Sequence, residues 1–89
     1  MSEPLDVMRK RLHMRSIRRG IKEMDLILMA FSERHLSELD AAQLERYDAL
    51  LSENDHDLYQ WVSGQTDEPE SYKELMSLIR DGAVGLTKP

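Results

Sequence analysis

Four arginines crowd one end of this chain. Arg11, Arg15, Arg18 and Arg19 follow one another at spacings of four, three and one, and Gly20, Ile21, Lys22 and Glu23 come directly after. On a helix, spacings of three and four put side chains on one face. Planar, forked guanidinium groups gathered in this way suit carboxylates or phosphates presented by a partner. Local structure accounts for part of the pattern. Arginine is favoured near a helix C-terminus, glycine just beyond it and glutamate in the first turn of the next helix, each by about 0.3–1 kcal/mol. Repulsion among four neighbouring arginines is not something a folding argument alone would select. The cluster, with Gly20 and Glu23, therefore reads as a protein-binding surface in which Glu23 could hold one guanidinium in place.

Other chemistries fare worse. His13, His35 and His56 are scattered, with no pair at the i, i+4 spacing that would set two imidazoles on one metal. Asn54, Asp55 and Asp57 resemble part of a calcium loop but lack its glycine and its distal bidentate glutamate, so helix capping explains them better. There are no cysteines, which removes thiolate catalysis and cysteine-ligated zinc. No glycine-rich phosphate cradle and no Ser/His/Asp set stands out, and the chain reads as a non-enzyme with no metal and no stably bound cofactor of its own.

Charge separates the chain into two parts. Residues 1–22 carry seven basic side chains against Glu3 and Asp6, whereas the whole chain has 12 basic and 17 acidic side chains and a net charge of −5. The basic end could neutralise phosphates. It holds no aromatic residue for base stacking, however, and the acidic remainder would repel a polyanion. Nucleic acid is therefore ranked well below a protein partner. Eighty-nine residues make one domain with one modest core. Residues 1–82 read as that domain and 83–89 as a frayed tail. The apolar runs within Met24–Phe31 are far too short to span a membrane. The N-terminus has neither the apolar segment of a secretory signal nor the acid-poor composition of a transit peptide. With the absent cysteines, this points to a bacterial, cytoplasmic protein, read as a monomer when free.

Periodicity of 3.6 residues dominates, and no stretch sustains the alternation of a strand. A first helix is expected to open near Pro4, to present Leu5, Met8 and Leu12 as one stripe and to run toward Arg18, with Gly20 stopping it in the left-handed conformation. Lys22 to His35 makes a second helix. Met24, Ile27, Leu28 and Phe31 form its core face, and Leu26, Met29 and Ala30 make it apolar around much of its circumference, as befits the central helix. A third follows Asp40, which forms a capping box with Gln43, and turns Leu44, Tyr47 and Leu51 inward. Asn54, Asp55 or Asp57 opens a fourth, with Leu58, Trp61 and Val62 as its stripe, Tyr59 off that stripe and Gly64 as its stop. Gln65–Pro69 is a loop. Tyr72, Leu75, Met76 and Ile79 carry a last helix that Asp81-Gly82 ends. The fold class is all-α, a compact bundle of about five short helices.

Set in order, Arg11-Leu12-x-x-Arg15-Ser16-x-x-Arg19-Gly20-x-x-Glu23 resembles the signature of the succinate dehydrogenase assembly factor 2 family, the flavinylation factors of bacteria and mitochondria. The likeness continues through Phe31, Leu44-x-x-Tyr47-Asp48-x-Leu50-Leu51, Asp55-x-Asp57-Leu58-Tyr59-x-Trp61 and Leu78-Ile79-Arg80-Asp81, and so covers roughly residues 9–81. It implies a five-helix fold. It also implies binding to the flavoprotein subunit of succinate dehydrogenase, or of fumarate reductase in some bacteria. There the protein would promote covalent attachment of FAD to a histidine of that subunit, acting on FAD held by the partner. By the same resemblance Arg19, Gly20 and Glu23 belong to the surface that meets the partner, and Arg11, Arg15 and Arg18 extend it. Gly20 would matter because a side chain there would disturb both the helix cap and a close backbone approach. A generic helical protein-binding adaptor is the alternative.

Overall fold

In the computed structural model, residues 3–17 and 20–83 are described, and they form five α-helices with two 3₁₀ turns and no strand. The helices are α1 (Leu5–Ser16), α2 (Lys22–His35), α3 (Ala41–Leu51), α4 (Asp55–Ser63) and α5 (Lys73–Ala83). A 3₁₀ turn at Leu36–Glu38 follows α2, and another at Glu70–Tyr72 leads into α5. The all-helical architecture is the expected one.

Helix α2 is the organising element. It packs against α1, α4 and α5, and its Met24, Ile27, Leu28 and Phe31 are buried. The ring of Phe31 lies 5.1 Å from that of Tyr47 on α3 and 5.2 Å from that of His35. Its far side differs from the expectation of an all-round apolar helix. Leu26 and Met29 are exposed, because the partners of α2 cover a stripe of it and not its circumference.

The ends of the helices show why each segment begins and stops where it does. Asp40 and Gln43 form the expected capping box: the Gln43 amide donates to Asp40 Oδ1 at 2.8 Å, and the Asp40 amide donates to Gln43 Oε1 at 3.0 Å. Of the three candidates for opening α4, Asn54 is the cap, its Oδ1 accepting from the Asp57 amide at 2.8 Å. Gly64 ends that helix in the left-handed conformation, φ 81°, and the Gln65 amide closes back on the Gln60 carbonyl at 2.9 Å. The carbonyls after α2 are met by a side chain from another helix. Arg9 donates from Nε to the Leu36 carbonyl at 2.8 Å and from Nη2 to that of Leu39 at 2.9 Å, tying α1 to the turn.

Three boundaries depart from the sequence reading. α1 stops at Ser16, short of Arg18, and Leu5 is exposed while Met8 and Leu12 are buried. Leu5 belongs to the opening turn, where α1 has not yet reached its packing partners. α5 continues through Asp81 and Gly82 to Ala83. A single glycine is tolerated at a helix end when the preceding turns are held in place. Leu75, Met76 and Ile79 bury their side chains against α2 and α4, and Arg80 donates to the Trp61 carbonyl at 3.1 Å while pairing with Glu68. Val62 is only partly buried at the edge of the core. Of the expected frayed tail, 83–89, Ala83 is the last residue of α5, and residues 84–89 lie outside the described residues.

Candidate functional site

The candidate residues separate into two groups that the sequence had merged. Arg11 and Arg15 project from successive turns of α1 toward α3, where both meet Asp48. Arg11 donates from Nη1 and Nη2 to the two Asp48 carboxylate oxygens at 3.1 and 3.0 Å, and from Nε and Nη2 to Glu3 at 3.0 and 2.9 Å. Arg15 pairs with Asp48 Oδ1 and donates to Ser52 Oγ at 3.3 Å. One turn along, Ser16 is wholly buried, and its hydroxyl donates to the Leu12 carbonyl at 2.7 Å. With that hydrogen spent, Tyr47 Oη is the donor in its 2.6 Å contact with Ser16 Oγ.

This network corrects, for Arg11 and Arg15, the argument that folding would not select the arginines. The fold supplies counter-charges for these two, from Asp48 and Glu3. Sequence reasoning missed Asp48 as the acceptor, because a pairing across 37 residues leaves no mark in helical periodicity. The one available signal was that Arg11 and Arg15, four apart, share a face on which a single carboxylate can serve both.

The electrostatics follow from the contacts. The Arg11 hydrogen bonds hold the Asp48 carboxyl below its ordinary range, assisted by the charge of Arg15 and opposed by partial burial. Glu3 is held low by Arg11 as well, and the Arg11 guanidinium is pushed up by both acids. A carboxyl held low in the folded state stabilises the fold above its unfolded pKa, and that contribution is lost as pH falls through the folded value. The pairs are about one-third exposed, so solvent screening keeps Asp48 to roughly 1 kcal/mol at neutral pH. Asp48→Asn is accordingly expected to lower the urea midpoint near pH 7. The gap from wild type should close as pH falls below the ordinary aspartate range, about 4, and a gap independent of pH would exclude the charge as its cause.

The second group lies on the connection between α1 and α2. Arg18 and Arg19 lie outside the described residues. Gly20 is exposed. The helix-cap reading of Gly20 is corrected, since α1 ends at Ser16 with Ile17 as its C-cap and Gly20 sits in the connection itself. Its amide donates to Asp55 Oδ2 at 2.8 Å, and a Cβ built on Gly20 would lie 3.3 Å from that same oxygen. A side chain at this position would need the Asp55 carboxylate to give by a few tenths of an ångström. Ile21 then runs extended, φ −111° and ψ 124°, and α2 begins without a side-chain cap.

Glu23 stands in the first turn of α2, exposed to solvent. Among the described residues it makes no side-chain hydrogen bond or ion pair, so holding a guanidinium in place is not its role within them. The structure thus brings Gly20, Glu23 and Asp55 to one end of the bundle and places Arg11 and Arg15 in the joint between α1 and α3.

Fold and site together define a small helical protein that exposes Gly20 just before its second helix and Glu23 in that helix's first turn. The family model described as flavinator of succinate dehydrogenase matches residues 10–83, and the chain belongs to that family. It is 38% identical over 91 residues to the mitochondrial succinate dehydrogenase assembly factor 2 of Debaryomyces hansenii, an alignment covering 97% of this chain and 64% of that protein. To assembly factor 2-B of Drosophila ananassae it is 37% identical over 83 residues, 90% of this chain and 51% of the relative. To the Saccharomyces cerevisiae S288c factor it is 45% identical over 62 residues, 70% and 38% respectively. The chain thus spans less than two-thirds of the length of these relatives. The expectation of a bacterial cytoplasmic setting is corrected here, since these relatives are named as mitochondrial proteins of eukaryotes. Among the described residues no helix is long and apolar enough to cross a membrane.

Proposed function

We propose that this chain binds the flavoprotein subunit of succinate dehydrogenase, or of fumarate reductase, and promotes covalent attachment of FAD to it without being the catalyst. The observation that carries the reading is Glu23, an exposed carboxylate within a family motif that the described part of the fold leaves unemployed. Surface charge without an internal partner is available for another molecule. The contact surface is Arg19, Gly20 and Glu23, extended by Arg18, and Arg11 and Arg15 border it as guanidinium groups already paired with Asp48.

The flavoprotein's own histidine and FAD supply the bond-forming chemistry, and the flavin stays with the partner. This chain contributes alignment, holding the flavoprotein's mobile parts where histidine and flavin meet. Positioning of that kind is worth about 7–11 kcal/mol of barrier in favourable cases.

The test is covalent flavin on the partner. The flavoprotein subunit is expressed in a host lacking its own flavinylation factor, with and without this chain, and flavin fluorescence is read on a denaturing gel. A fluorescent band that depends on the chain is the expected result. Equal bands, given a folded protein and a matched partner, would return the chain to the class of generic helical adaptors.

A further inference from the structure

At the described ends of the connection between α1 and α2, the Ile17 amide reaches the Met14 carbonyl at 3.4 Å, and the Ile21 carbonyl accepts from the Asp25 amide at 3.0 Å. Across the bundle, the Gly20 amide meets the Asp55 carboxylate at a sequence separation of 35. Asp55 is firmly placed. It is the first residue of α4, next to the Asn54 cap, which both accepts from the Asp57 amide and donates from Nδ2 to Asp57 Oδ2 at 3.1 Å. Leu58 and Trp61 anchor α4 in the core one and two turns further on. Because Asn54 caps the helix, α4 does not need the Asp55 carboxylate for that purpose. An acid in the first turn still gains from the helix dipole, but Asp57 gains in the same way and points at its own cap.

Resting on the functional reading above, we propose that Asp55 is a positioning residue for the partner-binding motif. Its carboxylate fixes the Gly20 amide, and thereby the approach of the chain to the first turn of α2, where Glu23 is presented. A Cβ at position 20 would crowd the same carboxylate oxygen that accepts from its amide. A loop held in its bound shape has less ordering to do on association, so the effect falls on affinity for the partner.

The experiment compares Asp55→Ala, Asp55→Asn and Asp57→Asn in the full chain. Three quantities are read: thermal midpoint, hydrogen exchange of the Gly20 amide by NMR, and Kd for the purified flavoprotein subunit. Asp55→Ala is expected to speed Gly20 exchange at least tenfold and to weaken binding about tenfold, with the thermal midpoint within a few degrees of wild type. Asp55→Asn keeps an acceptor oxygen and should recover much of both losses. Asp57→Asn, which shares only the helix dipole, should leave exchange and Kd at wild-type values. Unchanged Kd in Asp55→Ala overturns the proposal, whether or not Gly20 exchange rises. So does an equal loss in Asp57→Asn, which would make the effect one of α4 stability. A wild-type chain that fails to bind the flavoprotein at all sinks the functional reading, and the proposal falls with it.

Discussion

Glu23→Ala is expected to fold as stably as wild type and to leave the flavoprotein largely without covalent flavin. The side chain is exposed and has no hydrogen-bond or ion-pair partner among the described residues, so its removal should change stability by no more than about 0.5 kcal/mol. What is lost is a charge offered to another molecule. If Glu23 meets a buried cation or amide of the partner, truncation costs about 2–5 kcal/mol, a thirtyfold or greater fall in affinity. In the fluorescence assay the Glu23→Ala lane should be faint beside wild type at limiting concentration of the chain, and Glu23→Gln should be intermediate. A Glu23→Ala protein with unaltered denaturation and full activity would remove Glu23 from the site. Loss of stability would show that the carboxylate serves the fold after all.

The largest effect on stability should come from Phe31. Its ring is almost wholly buried at the centre of α2, packed obliquely on Tyr47 from α3 and on His35 one turn along. Phe31→Ala removes that transfer free energy and leaves a cavity the surrounding helices can only partly close, about 3–5 kcal/mol in all. A domain of this size has a total stability of only about 5–15 kcal/mol. The variant should show a urea midpoint reduced by a third or more, with part of the population unfolded at growth temperature. Phe31→Leu, which retains most of the volume, should lose much less. Equal losses for the two would point to the aromatic contacts, not the cavity, as the source.

Much of the fold is legible in the residues because helices of this size are built from local rules. The Met24, Ile27, Leu28 and Phe31 stripe, the Asp40–Gln43 box and the left-handed Gly64 each involve residues within a turn or two of one another. The departures arise where a distant contact outweighs the local signal. α5 runs past Gly82 because Ile79 and Arg80 are held against other elements. Gly20 reads as a helix stop by its position after two arginines, yet its amide is held by Asp55, 35 residues away. The candidate residues could be named from the sequence, but their division between an internal joint and an exposed end could not. Only the structure separates arginines with counter-charges inside the molecule from a glutamate that has none among the described residues.

The joint between α1 and α3 also changes what a titrating salt would report. A count of basic residues suggests an N-terminal end that gathers anions over long range and loses them steeply as ionic strength rises. Arg11 and Arg15 are instead already shared with Asp48 and Glu3, so at a distance much of their field is cancelled within the molecule. Association with a client would then owe less to diffusional steering and more to the fit of surfaces once in contact. Such a chain would discriminate by shape at close quarters, and its association would vary less with ionic strength than the count of basic residues suggests.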